Sequence, residues 1–396
     1  MWDELTGQAD AIAIFRAAAA RSGSGGVSTG STTGAGSTDR NESTSMTHAW
    51  LITGPPGSGR SNLAYAFAAA LLSRSTDDEE ATQRQVAART HPDLTVLTTE
   101  GVIIKMDSVK EVVARSQYSP SVGRYRVIVV EDADRMVERT SNVLLKALEE
   151  PPDRTVWILC APSEADLLPT IRSRVRTVRL RVPSVGDVAE LLIARDGVDE
   201  VIAERAAREA QSHIGMAHRL ATNSEARARR EETLRTALGI RGVATAVNAA
   251  ARLLAIAGDD AKAITEERDA EEREGVLRSL GVEPGQSVPP ALRGQLKALE
   301  DDQKRRATRS LRDGIDRILV DLSSLYRDVL MVQLGRDASV INRELLAELL
   351  PAAASSTQPE SLATMDAIAL ARQRIESNVA PALALEAMLV TAIRRR

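Results

Sequence analysis

The segment 49–73 constrains the fold of this chain more than any other. A short apolar run at 49–53 leads into a glycine-rich turn, and an apolar helix is predicted from Ser61 to Ser73. The turn reads Gly54-Pro55-Pro56-Gly57-Ser58-Gly59-Arg60-Ser61, which matches G-x-x-x-x-G-K-[ST] except for an arginine at the lysine position. In such a turn the backbone N–H groups converge on a phosphate, and the helix N-terminus adds positive partial charge. The order strand, loop, helix therefore predicts a phosphate-binding loop, with a plain strand-to-helix turn as the alternative.

The arginine at position 60 limits what this loop is expected to do. A lysine places one compact ammonium between the outer phosphates, whereas arginine is bulkier, planar and forked. Phosphate binding is compatible with that exchange, but phosphoryl transfer is sensitive to placement, and an error of about 1 Å costs roughly 100-fold. We therefore expect ATP and Mg²⁺ to bind weakly or only as a vestige, and the chain alone to have little or no ATPase activity.

Further strand patterns alternate with helical patterns after the loop. The run Arg126–Val130 (RVIVV) is nearly all β-branched and does not alternate with polar residues, which indicates burial on both faces of a sheet. Other strands are predicted at 155–160 and 175–180, and short strands or extended pieces at 94–98 and 102–104. Strands separated by helices predict an α/β domain with a parallel, three-layer sheet of the P-loop NTPase type.

Two acidic residues, Glu131 and Asp132, follow the RVIVV strand directly. P-loop enzymes hold magnesium with a carboxylate at this strand end. The alternative is that the two residues cap the next helix, and the sequence leaves both interpretations open. The predicted nucleotide contacts are Gly54, Gly57, Ser58, Gly59, Arg60, Ser61, Glu131 and Asp132.

The strand patterns end at Pro183, and the rest of the chain is helical in pattern. Long helices are predicted at 230–255, 259–283, 296–335, 343–350 and 358–394. We predict three domains, which are an α/β domain at 1–182 with a flexible Gly/Ser/Thr insert at 22–46, a small helical lid at 183–225 and an all-α domain at 226–396.

Aromatic residues make up only 2% of the chain, so its cores must be built from Ala, Leu, Val and Ile. Helical spacing assigns one group of residues to the core of the all-α domain: Leu319, Leu322, Leu325, Tyr326 and Leu330. A second apolar stripe should join the same core or form a helical interface between subunits: Val379, Leu383, Ala387 and Val390.

Composition excludes several classes of protein. The single cysteine, Cys160, excludes an intramolecular disulfide framework and a cysteine-based zinc site. A net charge of −4 excludes a uniformly basic nucleic-acid binder, although not a local basic surface. The densest apolar stretch, Leu63–Leu72, is ten residues long and too short to span a bilayer. With no apolar signal core near the N-terminus, we expect a cytoplasmic protein without membrane contact.

Several motifs together resemble the clamp-loader subunits of bacterial DNA polymerase III, which are AAA+ proteins. The motifs are W-D-E-L-x-G-Q at 2–8, His48-Ala49-Trp50, Thr90-His91-Pro92-Asp93, EDADRM at 131–136, N-x-L-L-K-x-L-E-E-P-P at 142–152 and Arg172-Ser173-Arg174. The run at 142–152 is the most specific of them, and the resemblance is close over about 48–182. The altered phosphate loop is similar to that of the delta-prime subfamily, and DLSSLYRD at 321–328 fits its actinobacterial members.

The resemblance implies a function and two further site residues. It implies a stator that helps load the sliding clamp onto primed DNA, together with the ATPase subunits and delta, within the DNA-directed DNA polymerase holoenzyme. Arg174 would be an arginine finger acting in trans on a neighbour's γ-phosphate, and Ser163 would occupy a sensor position. The all-α domain would form the collar. The alternatives are an ATP-hydrolysing motor subunit of the same loader and a structural scaffold with a relic loop.

The chain departs from the family pattern at Val175, where the family's S-R-C motif has its cysteine, and in two further places. Family members usually carry four zinc-binding cysteines after the first helix, but 73–90 has none, so we expect no zinc. The second sensor arginine of the ATPase subunits is expected a few residues after a glycine. After Gly215 the chain offers His218 and Arg219, and neither matches well. These two further departures favour a subunit that does not hydrolyse ATP by itself.

Overall fold

The computed structural model describes residue 2 and residues 5–21, 46–75, 78–99, 103–279 and 293–393. The predicted insert at 22–46 lies outside these residues except for its last position. The chain divides into two compact units, Met1–Ala221 and Thr222–Arg396. The finer division into three domains, with boundaries at 183 and 226, stays a prediction.

A parallel sheet is the frame of the first unit. Within the described residues it has five strands in the order β2-β3-β4-β1-β5, and every neighbouring pair is parallel. The strands are β1 Ala49–Thr53, β2 Leu94–Leu97, β3 Arg126–Val130, β4 Thr155–Ala161 and β5 Arg176–Arg179. The predicted α/β class with a parallel sheet is confirmed. Of the segment predicted at 102–104 as a short strand or an extended piece, residues 103 and 104 are not in a strand, and residue 102 lies outside the described residues.

Helices cover both faces of this sheet, because β1, β3 and β4 are buried along their whole length and require apolar cover on each side. The helices of the first unit are α1 Ala9–Arg21, α2 Arg60–Leu72, α3 Glu79–Ala87, α4 Met106–Ser116, α5 Glu138–Glu149, α6 Pro169–Arg172, α7 Val185–Asp196, α8 Glu200–Glu209 and α9 Ile214–Thr222. On one face α1 and α2 pack through Phe15, Trp50 and Phe67, whose ring centroids lie 4.5–5.5 Å apart. The opposite face is covered by α4 and α5, and α7–α9 share a separate apolar cluster.

The second unit is helical in its described residues. Its helices are α10 Ser224–Leu238, α11 Val243–Ser279, α12 Arg293–Gln333, α13 Leu346–Ala354, α14 Gln358–Glu376 and α15 Pro381–Thr391. Two predicted boundaries are wrong. The break falls between α10 and α11, next to Gly239 and Gly242, and not at 256–258. The helix predicted at 358–394 is interrupted where Asn378 adopts a φ of 64° and Pro381 begins a new helix.

The packing of the second unit separates the two predicted apolar groups. Leu322 and Leu325 are fully buried, and Leu319 and Tyr326 are nearly so, while Leu330 is half-buried. On α15 the buried face consists of Ala384, Leu385, Met388 and Leu389. The stripe predicted to join this core instead faces outward, with Leu383 62% exposed. That core assignment is therefore wrong, because α15 turns its other face inward.

A buried polar network ties α10 to α12. The guanidinium of Arg230 donates to Asp321 at 2.9 Å and to the side chain of Asn342 at 2.6 Å. Asp328 is fully buried and accepts from the backbone amides of Ile341 and Asn342 at 2.7–3.0 Å. The polar residues of the DLSSLYRD motif thus hold the loop after α12 against the bundle. In the part of the chain that the structure describes, no helix has the length and apolar character needed to cross a bilayer.

Candidate functional site

The glycine-rich turn lies between β1 and α2, at the carboxyl edge of the sheet. Gly57 and Gly59 adopt φ values of 78° and 89°, in the left-handed region that favours glycine. The Gly54 amide donates to the Pro162 carbonyl at 3.2 Å, which joins the turn to the end of β4. The helix α2 begins at Arg60, and N–H groups in the first turn of a helix have no intrahelical acceptor. The backbone therefore has the form that phosphate binding requires.

Two side chains, those of Arg60 and His213, lie against the turn itself. The Arg60 guanidinium donates to the Gly54 carbonyl at 2.6 Å. The ring of His213 lies so close to Gly57 that a Cβ added there would be 2.3 Å from the ring. Next to it, the Ile214 amide donates to the Gly57 carbonyl at 3.3 Å. The sequence analysis missed His213, because it is 156 residues from Gly57 in the chain and has no motif around it.

Glu131, at the end of β3, is engaged by two donors. Its Oε1 accepts from the Tyr65 hydroxyl and from the Arg89 guanidinium, the latter at 2.8 Å. The Glu131 side chain is 18% exposed. Burial raises the pKa of Tyr65, and the hydrogen bond to Glu131 raises it further, so Tyr65 stays a protonated donor. Sequence reasoning missed both partners of Glu131, since neither Tyr65 nor Arg89 belongs to a recognisable motif.

Asp132 stands at the N-cap of a short 3-10 turn at 133–135 and makes no side-chain capping bond there. The geometry thus gives no support to capping through this carboxylate. Burial raises the pKa of the Cys160 thiol to about 12, with Arg60 lowering it and Glu131 and Asp132 raising it. Cys160 lies near the carboxyl end of β4.

This site suits the phosphates of ATP better than it suits Mg²⁺. The loop backbone and the nearby Arg60 guanidinium suit phosphate oxygens. A magnesium ion requires oxygen ligands at short distance and in octahedral order. One Glu131 oxygen, Oε1, already accepts from Tyr65 and Arg89, so this oxygen does not fit a metal ligand in this arrangement.

Ser163 follows β4 and caps a short 3-10 turn at 164–166. Its hydroxyl oxygen accepts from the Ala165 amide at 3.2 Å, and the Asp166 carboxylate accepts from the Ser163 amide at 2.8 Å. Pro162, the residue before it, accepts from the phosphate-loop amide of Gly54. The structure thus gives Ser163 a local capping bond, and its role as a sensor stays a prediction.

Arg174 lies at the amino edge of the sheet, whereas the phosphate loop lies at the carboxyl edge. It precedes β5, whereas Gly54 follows β1, and the parallel pairing places Trp50 opposite Arg176 and Thr53 opposite Arg179. A strand of this length, four residues, covers about 13 Å. Since the Arg174 Nε donates to Glu149 at 2.7 Å, its side chain is directed away from the chain's own phosphate loop.

Two other motif residues have structural contacts. The His48 Nε2 donates to the Leu148 carbonyl at 2.8 Å, which links β1 to the motif at 142–152. Asp93 is fully buried and accepts from the amides of Ser121, Val122 and Gly123 at 2.6–2.7 Å, with a further bond from Arg126 at 3.0 Å. Burial by itself raises the pKa of Asp93, but these amide donors outweigh it and lower the pKa. The motif Thr90-His91-Pro92-Asp93 thus fixes the loop at 119–123.

In the described ranges no group of three or more His, Cys, Asp and Glu side chains is arranged to hold a metal ion. His48 donates to the distant Leu148 carbonyl, and His91 accepts from the nearby Asp93 amide.

Comparison with known proteins finds relatives for part of the first unit. Residues 38–184 match the family described as "DNA polymerase III, delta subunit". The DNA polymerase III subunit delta' of Pseudomonas aeruginosa is 36% identical over 151 residues, which are 36% of this chain and 45% of that protein. The Escherichia coli protein of the same name is 34% identical over 143 residues, 34% of this chain and 43% of the relative.

The chain therefore spans less than half of the length of these curated relatives. A Thermotoga maritima protein described as related to the gamma subunit of DNA polymerase III aligns over 87% of this chain and 93% of its own, with 17% identity and a TM-score of 0.40. A TM-score this low supports no conclusion about this chain. About a third of the chain is similar to DNA polymerase III delta-prime subunits.

Proposed function

We propose that this chain is a delta-prime-like subunit of the bacterial DNA polymerase III clamp loader and helps place the sliding clamp on primed DNA. The proposal is carried by the 32–36% identity to delta-prime subunits of three bacteria, together with the family match over residues 38–184, which include the phosphate loop and Arg174. Because these matches cover less than half of each relative, the role of the whole chain is part of the proposal. Such a role places the protein in the cytoplasm.

Within the loader we propose a stator that does not hydrolyse ATP. Arg60 stands at the lysine position and donates to the Gly54 carbonyl of its own loop. Glu131 accepts from Arg89 and Tyr65 and does not fit a magnesium ligand in this arrangement. Both features disfavour phosphoryl transfer at this site, which requires close placement of metal and cation.

We assign to Arg174 the role of a finger that acts in trans. It lies at the amino edge of the sheet, whereas Gly54 lies at the carboxyl edge, and its side chain is 33% exposed. A guanidinium stays charged and contacts two phosphate oxygens at once, which suits the γ-phosphate of a neighbouring subunit. On this proposal Glu149 positions the guanidinium until phosphate replaces the carboxylate. Ser163 would serve as the sensor residue at the end of β4.

The partners on this proposal are the ATPase subunits and delta, with the sliding clamp and the primer-template DNA contacted through the complex. The helices at 226–396 would form the collar, and the outward stripe on α15, with Leu383 62% exposed, would contact a neighbour.

Reconstitution tests the proposal. The full chain should co-elute with the ATPase subunits and delta in gel filtration, and clamp loading on primed DNA should require it. If loading proceeds at the same rate without the chain, the proposed function is wrong. A motor subunit would hydrolyse ATP when purified alone, and a passive scaffold would support loading equally well with Arg174→Ala.

A further inference from the structure

Arg89 is the cation that meets Glu131. The residue follows α3 and adopts a φ of 58°, in the left-handed region that is unfavourable for an arginine. The turn is fixed by the Arg89 amide, which donates to Val86 at 3.0 Å, and by the Thr90 amide, which donates to Gln85 at 2.9 Å. Val86 is fully buried. A left-handed arginine in an anchored turn indicates that the surrounding structure determines where this side chain goes.

The Arg89 side chain crosses from that turn to the end of β3. Its guanidinium carbon lies 5.4 Å from the centroid of the Tyr65 ring, and one of its nitrogens lies 2.8 Å from the Glu131 Oε1. Tyr65 donates to the same oxygen. Glu131 is thus neutralised by a cation of this chain, at the position where a metal ligand is expected.

A third acidic residue, Asp134, follows Glu131 and Asp132 in the same short turn. Arg89 pairs with the first of these three, Glu131. Burial raises the pKa of Asp134, and its own backbone hydrogen bond, Arg135 and Arg60 only partly offset this rise. A divalent cation placed on Glu131 would also be repelled by the adjacent guanidinium.

We propose that Arg89 replaces the divalent cation at Glu131, so that the loop binds the phosphates of a nucleoside triphosphate without a metal ion. The amides at the start of α2 contact the phosphate oxygens. The Arg60 guanidinium leaves the Gly54 carbonyl and contacts the phosphate oxygens as well. Arg89 is a positioning residue, because it acts on the phosphates through Glu131. This inference rests on contacts within the first unit and does not depend on the role of Arg174 or on assembly.

Calorimetry with ATP and the full chain tests the inference. The wild type should bind ATP with the same affinity, within about twofold, in EDTA and in excess Mg²⁺. Arg89→Gln leaves Glu131 as an unneutralised charge beside the phosphates, so binding in EDTA should weaken by about tenfold and Mg²⁺ should restore it. Arg89→Lys, which keeps the charge, should remain close to the wild type.

The double variant Arg89→Gln/Glu131→Gln removes both charges and should again bind ATP equally well with and without Mg²⁺. Arg115→Gln is the matched control, since Arg115 forms a similar pair with Glu111 at 2.7 Å on α4. The inference is overturned if the wild type binds no ATP in either condition, if Mg²⁺ tightens its binding tenfold or more, or if Arg89→Gln stays insensitive to Mg²⁺. None of these results would affect the reconstitution assay, so the two proposals fail separately.

Discussion

Glu149 fixes Arg174 at the amino edge of β5, where its carboxylate accepts a hydrogen bond from the arginine Nε at 2.7 Å. The guanidinium also donates to the Thr170 carbonyl at 2.7 Å. Two motifs, at 142–152 and at Arg172-Ser173-Arg174, therefore meet in one contact. Because the two side chains are 44% and 33% exposed, a pair of this kind stabilises the fold by only about 0–1 kcal/mol. Arg174 can thus exchange Glu149 for another anion at small cost.

Arg174→Ala should leave folding and assembly intact but slow clamp loading and clamp-stimulated ATP turnover by the reconstituted complex. Arginine fingers accelerate hydrolysis by about 10³–10⁵ at the site they serve. The whole complex should lose less, because other interfaces keep their own arginines. The control is Arg172→Ala. Unchanged loading rates with Arg174→Ala would contradict the role in trans and would indicate that the chain is a passive scaffold.

Arg60→Lys should not create an ATPase. The substitution restores the lysine of the motif, but Glu131 still accepts from Arg89 and Tyr65 and is not released to bind magnesium. We expect phosphate release by the purified chain to stay at background in both the wild type and this variant. Turnover by either protein that rises in proportion to its concentration, after repeated purification, would contradict the expectation.

Asp93→Asn should destabilise the chain at neutral pH. The buried carboxylate accepts from three amides and from Arg126, and removing one member of a buried charged pair costs on the order of 3–5 kcal/mol. Because the folded pKa is lowered, this stabilisation is present above the unfolded pKa of about 3.9 and is lost as the pH falls through the folded value.

Urea unfolding at pH 7 and at progressively lower pH measures that difference. The gap between the wild type and Asp93→Asn should be largest near neutrality and shrink below about pH 4. The matched control is Asp107→Asn on α4, whose side chain is 97% exposed. A gap that stays constant down to the acid transition would show that the Asp93 charge does not contribute.

Arg230→Ala should destabilise the second unit. It leaves Asp321 and Asn342 without their guanidinium partner in a site where Arg230 is only 7% exposed, and a loss of this kind costs about 3–5 kcal/mol. Thermal unfolding followed by circular dichroism measures the loss. Arg235→Ala, on the same helix but exposed, should leave the melting temperature nearly unchanged, and equal effects of the two variants would contradict the assignment.

The sequence by itself determined those features whose signals are local. Runs such as Arg126–Val130 lack polar alternation because both faces of a parallel strand are covered, and this pattern is visible without any partner. The loop at 54–61 is equally local, since its glycines are required by the backbone of a single turn. The helix bounds of the second unit were less well predicted because Ala-rich segments carry weak periodicity and continue through one another until a glycine or proline intervenes.

Only the tertiary structure decided which side chains meet at these local features. Arg89 reaches Glu131 across 42 residues of sequence, and Arg174 is separated from its own loop because β1 and β5 run parallel. The outward orientation of Leu383 was likewise decided by which face of α15 packs into the bundle. Pairings of this kind depend on the closure of long loops and on competition among similar apolar faces, and neither leaves a periodic signal in the chain.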